Sequence, residues 1–396
     1  MRHIPDSERR ARLARRHALA PAHRVPDAEA ATRAMTVLHS TEAATVYLSV
    51  WARVDGVAVA DVDRALYDDR SVVKQLAMRR TLFVFPRDLL PAAWGSASAR
   101  VAATLATRLA KEVEAGGIAE DGAAWLAEAR AAVLDALTGR GAMTAQQIRE
   151  SVPLLESRLH LAPGKAYAAN VSVAPRVLTQ LAVEGEVVRG ANAGHWRMSK
   201  PAWTLMSDWL GDVPPAMKPD EGYAEIVGRW LHTFGPGTED DLVWWLGGTK
   251  AAVRAALASV SAVEVSLDGG GTGWVLPDDE DPVAEVEPWV ALLPVLDPTV
   301  MGWKERDFYL GAHGPHLFDT NGNAGTTAWW DGRVVGCWVQ DDEGVVEVRP
   351  LEKLPRAALT ALDTEAARLT AWLDGLRVST VYPSTAMKAP APWEIP

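Results

Sequence analysis

The sequence predicts an α+β fold in which a unit of three helices and a β-hairpin is repeated along the chain. One observation is that helical and strand patterns follow each other in the same order in two stretches, 125–200 and 223–276. A second is that a Gly-rich break ends the first helix of each stretch and a Thr then begins the next one. Helix, break, capped helix, third helix and hairpin is the element order of a winged helix, a variant of the helix-turn-helix.

The earlier stretch has a capping box, because Thr144 precedes Gln147 by three residues at the start of its second helix. The helix before it is predicted to end at the Gly-Arg-Gly sequence 139–141. A Gly/Asn turn at 190–194 separates the two predicted hairpin strands. The remaining predicted elements are helices over 125–138 and 174–181, and strands over 186–189 and 195–198.

The later stretch has two Thr caps, Thr238 and Thr249, each in front of a helical pattern. A Gly-rich turn at 268–272 joins its predicted strands. Its predicted elements are helices over 224–233, 239–245 and 250–259, and strands over 263–267 and 273–276.

The two ends of the chain are less regular. Residues 10–86 predict a divergent third copy of the unit, in which Val46 to Val54 is apolar and rich in strand-tolerant side chains. Short helices are predicted over 61–67 and 71–78, and a strand over 81–85. After Pro288 the pattern is strand-rich, with a hairpin at 329–336 that turns at Asp331-Gly332, and a closing helix over 355–376. The predicted boundaries are three winged-helix units, 1–110, 111–213 and 221–285, and a β-rich region, 286–396.

Bulk composition indicates a globular chain. Apolar residues make up 48% and charged residues 23%, which is ordinary for a soluble protein. No window approaches the roughly 18 uninterrupted apolar residues of a membrane span, and the first ten residues lack the apolar core of a signal peptide. The single cysteine, Cys337, excludes an intrachain disulfide and a multi-cysteine metal site. We therefore expect a cytoplasmic protein without a membrane partner.

Charge is unevenly distributed along the chain. Residues 1–110 contain 17 Lys and Arg against 11 Asp and Glu, although the whole chain has a net charge of −11. Seven arginines lie within the first 24 residues. This asymmetry indicates an N-terminal part that faces a polyanion, and the alternative is a solvated arginine-rich helix face without a partner.

Four segments carry a resemblance to a known family. They are "LHSTEAATVYLSVWARV" at 38–54, "DDRSVVKQLAMRRTLFVFP" at 68–86, "DPTVMGWKERDFYL" at 297–310 and "DGRVVGCW" at 331–338. In content and order they resemble the bacterial tandem winged-helix DNA glycosylases, which include the azinomycin-resistance glycosylase and its crosslink-unhooking relatives.

This resemblance implies three winged helices curved around a DNA channel and a monofunctional glycosylase that uses no metal and no organic cofactor. The implied substrates are bulky or crosslinked N7-alkylpurines in duplex DNA. The family's active tripeptide, Gln-apolar-Gln or Gln-apolar-Asp, is taken to position the attacking water. It maps onto His39, Ser40 and Thr41, so this sequence departs from the family pattern at all three positions.

The substituted tripeptide retains groups that suit the reaction. Alkylation at N7 makes the purine a good leaving group, so the enzyme has mainly to place a water and stabilise the sugar cation. A neutral His39 imidazole is able to accept a proton from that water, and Thr41 is able to accept a hydrogen bond from it. The two residues share a face only in extended backbone, so the preceding helix must end by Leu38. The alternative is that His39 is a helix-end histidine, with Ser40 or Thr41 capping the next turn.

Candidate DNA-contacting residues occur in several segments, and each has an ordinary structural alternative. The N-terminal arginines share a helix face by their i, i+3, i+7 spacing, a second pair precedes a strand, and two cations stand among aromatic residues. Two turns are candidate groove probes. The residues are Arg9, Arg12, Arg16, Arg79, Arg80, Lys304, Arg306, Asn323 and Arg333.

Other functions remain open from the sequence. A non-catalytic DNA-binding protein such as a regulator is one, although the predicted third helices, 174–181 and 250–259, carry few cations for recognition of bases. A protein-binding scaffold is another, because the chain after residue 110 is acidic. His313 and His316 have no evident third ligand, so no zinc site is predicted. We expect a monomer that binds duplex DNA, with alkylated DNA as substrate.

Overall fold

Strands and helices alternate through the part of the chain that the structure, a computed structural model, describes: residues 1–161, 169–390 and 393–395. Fifteen strands form five separate sheets within these residues. This confirms the predicted mixture of helix and sheet. No helix in the described ranges combines the length and the apolar composition that crossing a bilayer requires.

The N-terminal part contains a three-stranded antiparallel sheet in the order β2, β4, β3. In its register His39 lies opposite Phe83, which in turn lies opposite Gln75. The elements of this part are β1 (Arg2–Ile4), α1 (Asp6–Arg16), α2 (Ala28–Ala34), β2 (Leu38–His39), α3 (Ala43–Trp51), α4 (Val59–Asp63), β3 (Val72–Leu76) and β4 (Leu82–Pro86).

One prediction for this part is wrong, and one segment that was left unassigned is a helix. Residues 71–78 form strand β3 and not a helix, because Val72 and Val73 are β-branched and buried in the sheet. The apolar stretch beginning at Val46 belongs to helix α3, in which eight of nine residues are buried. A helix surrounded by core on all sides is apolar around its whole circumference, so its sequence has no amphipathic period to distinguish it from a buried strand.

The next part has a hydrophobic core of its own, which includes the fully buried Val133, Ile148 and Leu178. The Thr144 capping box is confirmed: Thr144 Oγ1 accepts from the Gln147 amide at 3.2 Å, and Gln147 Oε1 accepts from the Thr144 amide at 2.8 Å. The elements are α5 (Leu90–Ala93), α6 (Ala99–Ala115), α7 (Gly122–Leu137), β5 (Met143–Thr144), α8 (Ala145–Ser151), β6 (Arg158–Leu161), β7 (Ala169–Ser172), α9 (Ala174–Val183), β8 (Val187–Asn192), β9 (Pro201–Leu205) and α10 (Met206–Leu210).

The hairpin of this part differs from the prediction in its second strand. Strand β8 pairs with β9, which spans Pro201–Leu205, and not with His195–Met198. The latter residues lie in the connection, where Trp196 is buried against Tyr47 with ring centroids 5.2 Å apart. The aromatic residue that suggested a strand is therefore an anchor of the loop to the N-terminal part.

The third part has the predicted caps. Thr238 Oγ1 accepts from the Asp241 amide and Thr249 Oγ1 from the Ala252 amide, at 3.1 and 3.2 Å. Strand β1 from the start of the chain pairs in parallel with β10, and this contact was not predicted. The elements are α11 (Pro219–Phe234), α12 (Glu239–Leu246), α13 (Lys250–Ser259), β10 (Val263–Leu267) and β11 (Thr272–Val275).

The C-terminal part contains a four-stranded antiparallel sheet in the order β12, β13, β14, β15. The predicted tight turn is confirmed, because Asp331 and Gly332 join β13 to β14 with positive φ angles. The elements are β12 (Val290–Leu293), α14 (Pro298–Met301), α15 (Asp307–Leu310), α16 (Gly314–Leu317), β13 (Thr327–Trp330), β14 (Arg333–Gln340), β15 (Val346–Pro350), α17 (Arg356–Leu373) and α18 (Thr385–Lys388).

Candidate functional site around His39

His39 lies in extended backbone, at the end of strand β2. Helix α2 ends at Ala34, so the helix is over before Leu38, as cooperation between residues 39 and 41 requires. The backbone of β2 is fixed by pairing with β4, and the Ser40 amide donates to the Leu82 carbonyl at 2.9 Å. The imidazole packs edge-on against the Phe83 ring, with centroids 5.1 Å apart.

Two polar atoms of the tripeptide are buried without a hydrogen-bond partner among the described residues. They are Nδ1 of His39 and Oγ of Ser40, whose side chains are 6% and 4% exposed. Buried polar groups in folded proteins are nearly always paired, with protein or with ordered water. Successive side chains of extended backbone point to opposite sides, so these unpaired atoms indicate two neighbouring positions at which water or a ligand completes the hydrogen bonding.

The His39 ring is neutral at ordinary pH. Burial lowers the pKa of His39 to about 3, and the positive charge of Arg79 lowers it further, while the Asp297 carboxylate opposes the shift. A neutral imidazole retains one nitrogen as a hydrogen-bond acceptor. Such a ring is able to orient a water molecule without carrying a charge itself.

Thr41 is exposed, and no hydrogen bond joins it to His39 in the described structure. The alternative reading, that Ser40 or Thr41 caps the next helix, is wrong, because the residue before α3 is Glu42 and no side chain caps that helix. Glu42 instead accepts hydrogen bonds from the Thr380 hydroxyl at 2.8 Å and the Val381 amide at 2.7 Å. The C-terminal segment is thus attached directly beside the tripeptide.

Arg79 and Arg80 form the turn between β3 and β4, and both have left-handed backbone, with φ of 54° and 58°. Non-glycine residues adopt this conformation only at an energetic cost, so two in succession indicate a constrained turn. The Arg79 guanidinium lies over Trp244, 4.2 Å from the ring centre, with its Nε buried and unpaired. Arg80 is exposed.

The structure brings Arg306 to the same place. Its guanidinium lies 5.0 Å from the centre of the Trp244 ring and 4.5 Å from that of Phe318. Burial lowers the pKa of Arg79 to about 10, and the neighbouring charge of Arg306 adds to the effect. Two cations that were predicted from distant segments therefore converge on one indole ring, near His39.

The three N-terminal arginines correct the expectation that they line a duplex. Arg12 is 1% exposed and pairs with Glu8 at 2.8 Å and Asp279 at 2.6 Å. Arg16 pairs with Asp279 and donates to the Gly235 carbonyl. The Arg9 guanidinium lies 3.6 Å above the ring of Phe308.

The shared face of these arginines is thus an internal one. It joins α1 to the third and C-terminal parts of the chain, and the acidic partners come from segments distant in sequence. The spacing of the arginines could not reveal these acidic partners. Helical periodicity identifies the residues that share a face, but it does not identify the segment that packs on that face.

The remaining candidates are separate from this cluster. Lys304 is half exposed and lies 3.4 Å from Asp240, and Asn323 donates from Nδ2 to Asp319 within its own turn at 2.9 Å. Arg333 is 53% exposed at the β13–β14 turn, 3.4 Å from Glu352. Of these, Arg333 and Lys304 present charge to solvent, whereas Asn323 stabilises a loop.

A buried ion pair behind the tripeptide was missed in the sequence. Arg53 and Asp297 are both fully buried, with Nη2 and Oδ1 2.8 Å apart, and Ser49 Oγ donates to the same carboxylate at 2.7 Å. His17 Nδ1 lies 3.0 Å from Thr299 Oγ1, which also accepts from Arg53. The Asp-Pro-Thr sequence at 297–299 signals a helix start, which the structure has, but nothing local indicates that its carboxylate meets Arg53.

The described residues contain no group of three His, Cys, Asp or Glu side chains arranged to hold a metal ion. His313 lies 3.1 Å from Glu352, and this contact occupies one of its ring nitrogens. The arrangement gives the histidine a structural partner.

Comparison with known proteins places this chain in a family. A family model described as DNA glycosylase AlkZ-like matches residues 32–372. Among solved structures, the Streptomyces sahachiroi DNA glycosylase AlkZ superposes with a TM-score of 0.73 over 96% of this chain and 99% of its own, at 21% sequence identity. No curated protein sequence matches. Because the family model spans most of the chain, including the tripeptide, the Arg79-Arg80 turn and the Arg306 segment, this protein belongs to the AlkZ-like DNA glycosylase family.

Proposed function

We propose that this protein is a monofunctional DNA glycosylase that hydrolyses the N-glycosidic bond of bulky or crosslinked N7-alkylpurines in duplex DNA. His39 orients the attacking water, and the Thr41 hydroxyl accepts a hydrogen bond from the same water on the solvent side. The observation that carries the proposal is the pair of buried, unpaired polar atoms, His39 Nδ1 and Ser40 Oγ, at the position of the family's active tripeptide.

Hydrolysis of this glycosidic bond does not require a strong acid or a strong base from the enzyme. An N7-alkylpurine already carries the positive charge that makes it leave, so the main tasks are to place a water and to stabilise the cationic sugar. A neutral His39 accepts a hydrogen bond from the water without adding a positive charge beside the sugar. The rate then depends on position more than on the strength of a general base.

Arg79 supplies the next component. Its guanidinium is near enough to His39 to influence the imidazole, and Trp244 holds it in place. A phosphate next to the damaged nucleotide is the natural partner of such a cation. Arg79 therefore fixes the DNA backbone while His39 faces the sugar, and Arg306 contributes a second positive charge to the same location.

The fold supports this assignment through its repeated units. The helix sets α7, α8 and α9 of the second part, and α11, α12 and α13 of the third, are each followed by a hairpin, and a Thr caps α8, α12 and α13. The second part has an additional hairpin, β6–β7, between α8 and α9. We interpret these parts, together with the divergent N-terminal part, as three tandem winged helices that surround a DNA channel. The protein acts on duplex DNA in the cytoplasm, as a monomer and without a cofactor.

A second function has one observation in its favour. Thr41 is exposed and does not contact His39, and both amides of the family's tripeptide are replaced. A protein with this site that binds damaged duplex DNA without cleaving it is the alternative. Such a protein keeps the phosphate contacts of Arg79 but releases no base.

Base release from a duplex containing one N7-methylguanine, and from one containing a bulky N7-guanine adduct, tests the proposal. Wild type is compared with His39→Ala and Thr41→Ala, and DNA binding is measured in parallel. We expect release by wild type and a loss of about 100-fold or more in His39→Ala with binding retained. Binding without release from either duplex, while another family member cleaves them, would establish the non-catalytic alternative.

A further inference from the structure

A basic cleft lies beside the Arg79-Arg80 turn, at the junction of the N-terminal and second parts. Its volume is about 420 Å³. The β3–β4 turn, α6, α9 and β8 each contribute one arginine to its lining: Arg80, Arg108, Arg176 and Arg189. Thr179 and Gln180 of α9 line it as well, so hydroxyl and amide groups stand among the guanidinium groups.

The charge of this cleft is not balanced by the protein. Among the described residues, Glu112 is the one carboxylate that contacts any of the four arginines: it pairs with Arg108 at 2.8 Å and also with Arg176. No described carboxylate contacts Arg80 or Arg189. Arg189 lies 5.1 Å from the centre of the Trp203 ring, which positions its guanidinium without neutralising it.

Another cation, Lys74, is buried close to Arg189 but does not line the cleft. Lys74 on β3 donates from Nζ to the Tyr67 hydroxyl at 2.6 Å. Burial and then the nearby charge of Arg189 lower the pKa of Lys74 to about 8. Repulsion between these positive charges is unfavourable unless an anion binds among them. The chain after residue 110, in contrast, is acidic overall. The cleft is thus a positive site on an acidic body.

Its position relates it to the tripeptide. Arg79 and Arg80 are adjacent, so their Cα atoms are about 3.8 Å apart. Arg79 lies on Trp244 near His39, whereas Arg80 lines the cleft. A DNA strand that presented its damaged nucleotide to His39 would have neighbouring phosphates close to this turn, and Arg80 connects the turn to the cleft.

We propose that the cleft of Arg80, Arg108, Arg176 and Arg189 binds the phosphate backbone of the duplex flank next to the lesion. The inference rests on the proposed function, because duplex DNA is the polyanion it commits to. Glu112 has a defined role in it: this carboxylate competes with phosphate for Arg108 and Arg176 and thereby moderates binding. The cleft contributes affinity and register to every sequence alike, since phosphate contacts carry no base information.

Equilibrium binding to an undamaged duplex, followed by fluorescence anisotropy over a series of salt concentrations, tests this inference. Arg80→Gln and Arg189→Gln should each weaken binding and reduce the slope of log K against log salt by about 0.9, the value for one phosphate. Glu112→Gln should act in the opposite direction and steepen the slope, because it releases two guanidinium groups. The matched control is Arg64→Gln, an exposed arginine bound to Asp61, which should leave the slope unchanged.

Circular dichroism and thermal melting of each variant exclude misfolding, and Arg80 is exposed enough that its replacement should leave the fold intact. Unchanged slopes in Arg80→Gln and Arg189→Gln would overturn the inference, and an acidic protein would then be the better occupant. Base release by wild type is measured separately. If wild type releases the base but the salt slopes of Arg80→Gln and Arg189→Gln are unchanged, only the role of the cleft is refuted. If the slopes are reduced but wild type releases no base, only the glycosylase activity is refuted.

Discussion

The guanidinium of Arg79 lies 4.2 Å from the centre of the Trp244 indole ring, and this contact joins the turn beside the tripeptide to helix α12. The residue that permits the approach is Gly247, which ends α12 with a φ of +61°. A Cβ atom at this glycine would lie 3.0 Å from Cγ of Arg79. A side chain at position 247 would therefore press against the Arg79 side chain, which would have to move by a few tenths of an ångström.

Gly247→Ala should displace Arg79 and lower both DNA affinity and base release, by roughly 10-fold for a lost charged contact. Gly117→Ala is the matched control, because Gly117 also follows the end of a helix with positive φ, at +66°, but has nothing within 4 Å of its added Cβ. Both variants should lose about 1 kcal/mol of stability from backbone strain. Equal DNA affinity in the two would show that Arg79 does not depend on Gly247.

Buried neutral histidines should make stability depend on pH. Burial is the main cause that lowers the pKa of His39 to about 3, and the same holds for His17, with the charge of Arg53 second. Since an unfolded histidine has a pKa near 6.5, the unfolded chain binds more protons between about pH 3 and pH 6.5. The stabilising contribution is complete above about pH 6.5 and is lost as the pH falls toward 3.

Within that window each histidine should lower the free energy of unfolding by about 1.4 kcal/mol per pH unit of acidification. Urea unfolding of wild type and His39→Gln between about pH 7 and about pH 5 measures this. The variant should lose stability less steeply by the contribution of one histidine. Parallel curves would mean that the His39 ring is hydrated in solution and titrates normally.

The rate of base release should be independent of pH between about pH 6 and about pH 8, because His39 is already neutral throughout that range. Single-turnover rates at saturating enzyme measure it. His39→Gln restores the family's amide and should retain more activity than His39→Ala, since an amide oxygen also accepts a hydrogen bond from water. A rate that falls along a titration near pH 6.5 would contradict a buried neutral ring.

Breaking the ion pair behind the tripeptide should destabilise the protein strongly. Asp297→Asn leaves the buried Arg53 charge uncompensated, which costs about 3–5 kcal/mol in such sites. Asp342→Asn is the control: it removes a partner of Arg377 in an exposed pair, and the expected change is below about 1 kcal/mol. Thermal unfolding of the three proteins compares them, and similar melting temperatures would show that water enters the Arg53 site.

Local signals in the sequence were sufficient where structure is decided locally. The caps at Thr144, Thr238 and Thr249 and the Asp331-Gly332 turn were all identified, because each depends on a few adjacent residues. Residues 71–78 were assigned to a helix although 72–76 form strand β3, and no element was assigned to the stretch that forms α3. Both segments are buried on more than one face, so neither has a clear period.

The site was predictable only in part for a similar reason. Residues 39–41 were found through a family resemblance, Arg79 through its place before a strand in the basic N-terminal part, and Arg306 through its aromatic neighbours. That these two cations share Trp244, and that Arg12 is internal, depends on pairs of segments far apart in the chain. A single sequence does not indicate which distant segments contact each other.

The parallel pairing of β1 with β10 has a consequence for synthesis. Strand β1, residues 2–4, has no partner strand until residues 265–267 have been synthesised. Helix α1 packs on α11, which also follows it at a distance in the chain. A growing chain emerges from its amino end, so the segment that holds His39 is made long before the parts that enclose it. A prematurely terminated product would carry the tripeptide but lack Asp297, Arg306 and the Trp244 platform. The surroundings of the tripeptide are thus complete only in chains that extend at least through Arg306.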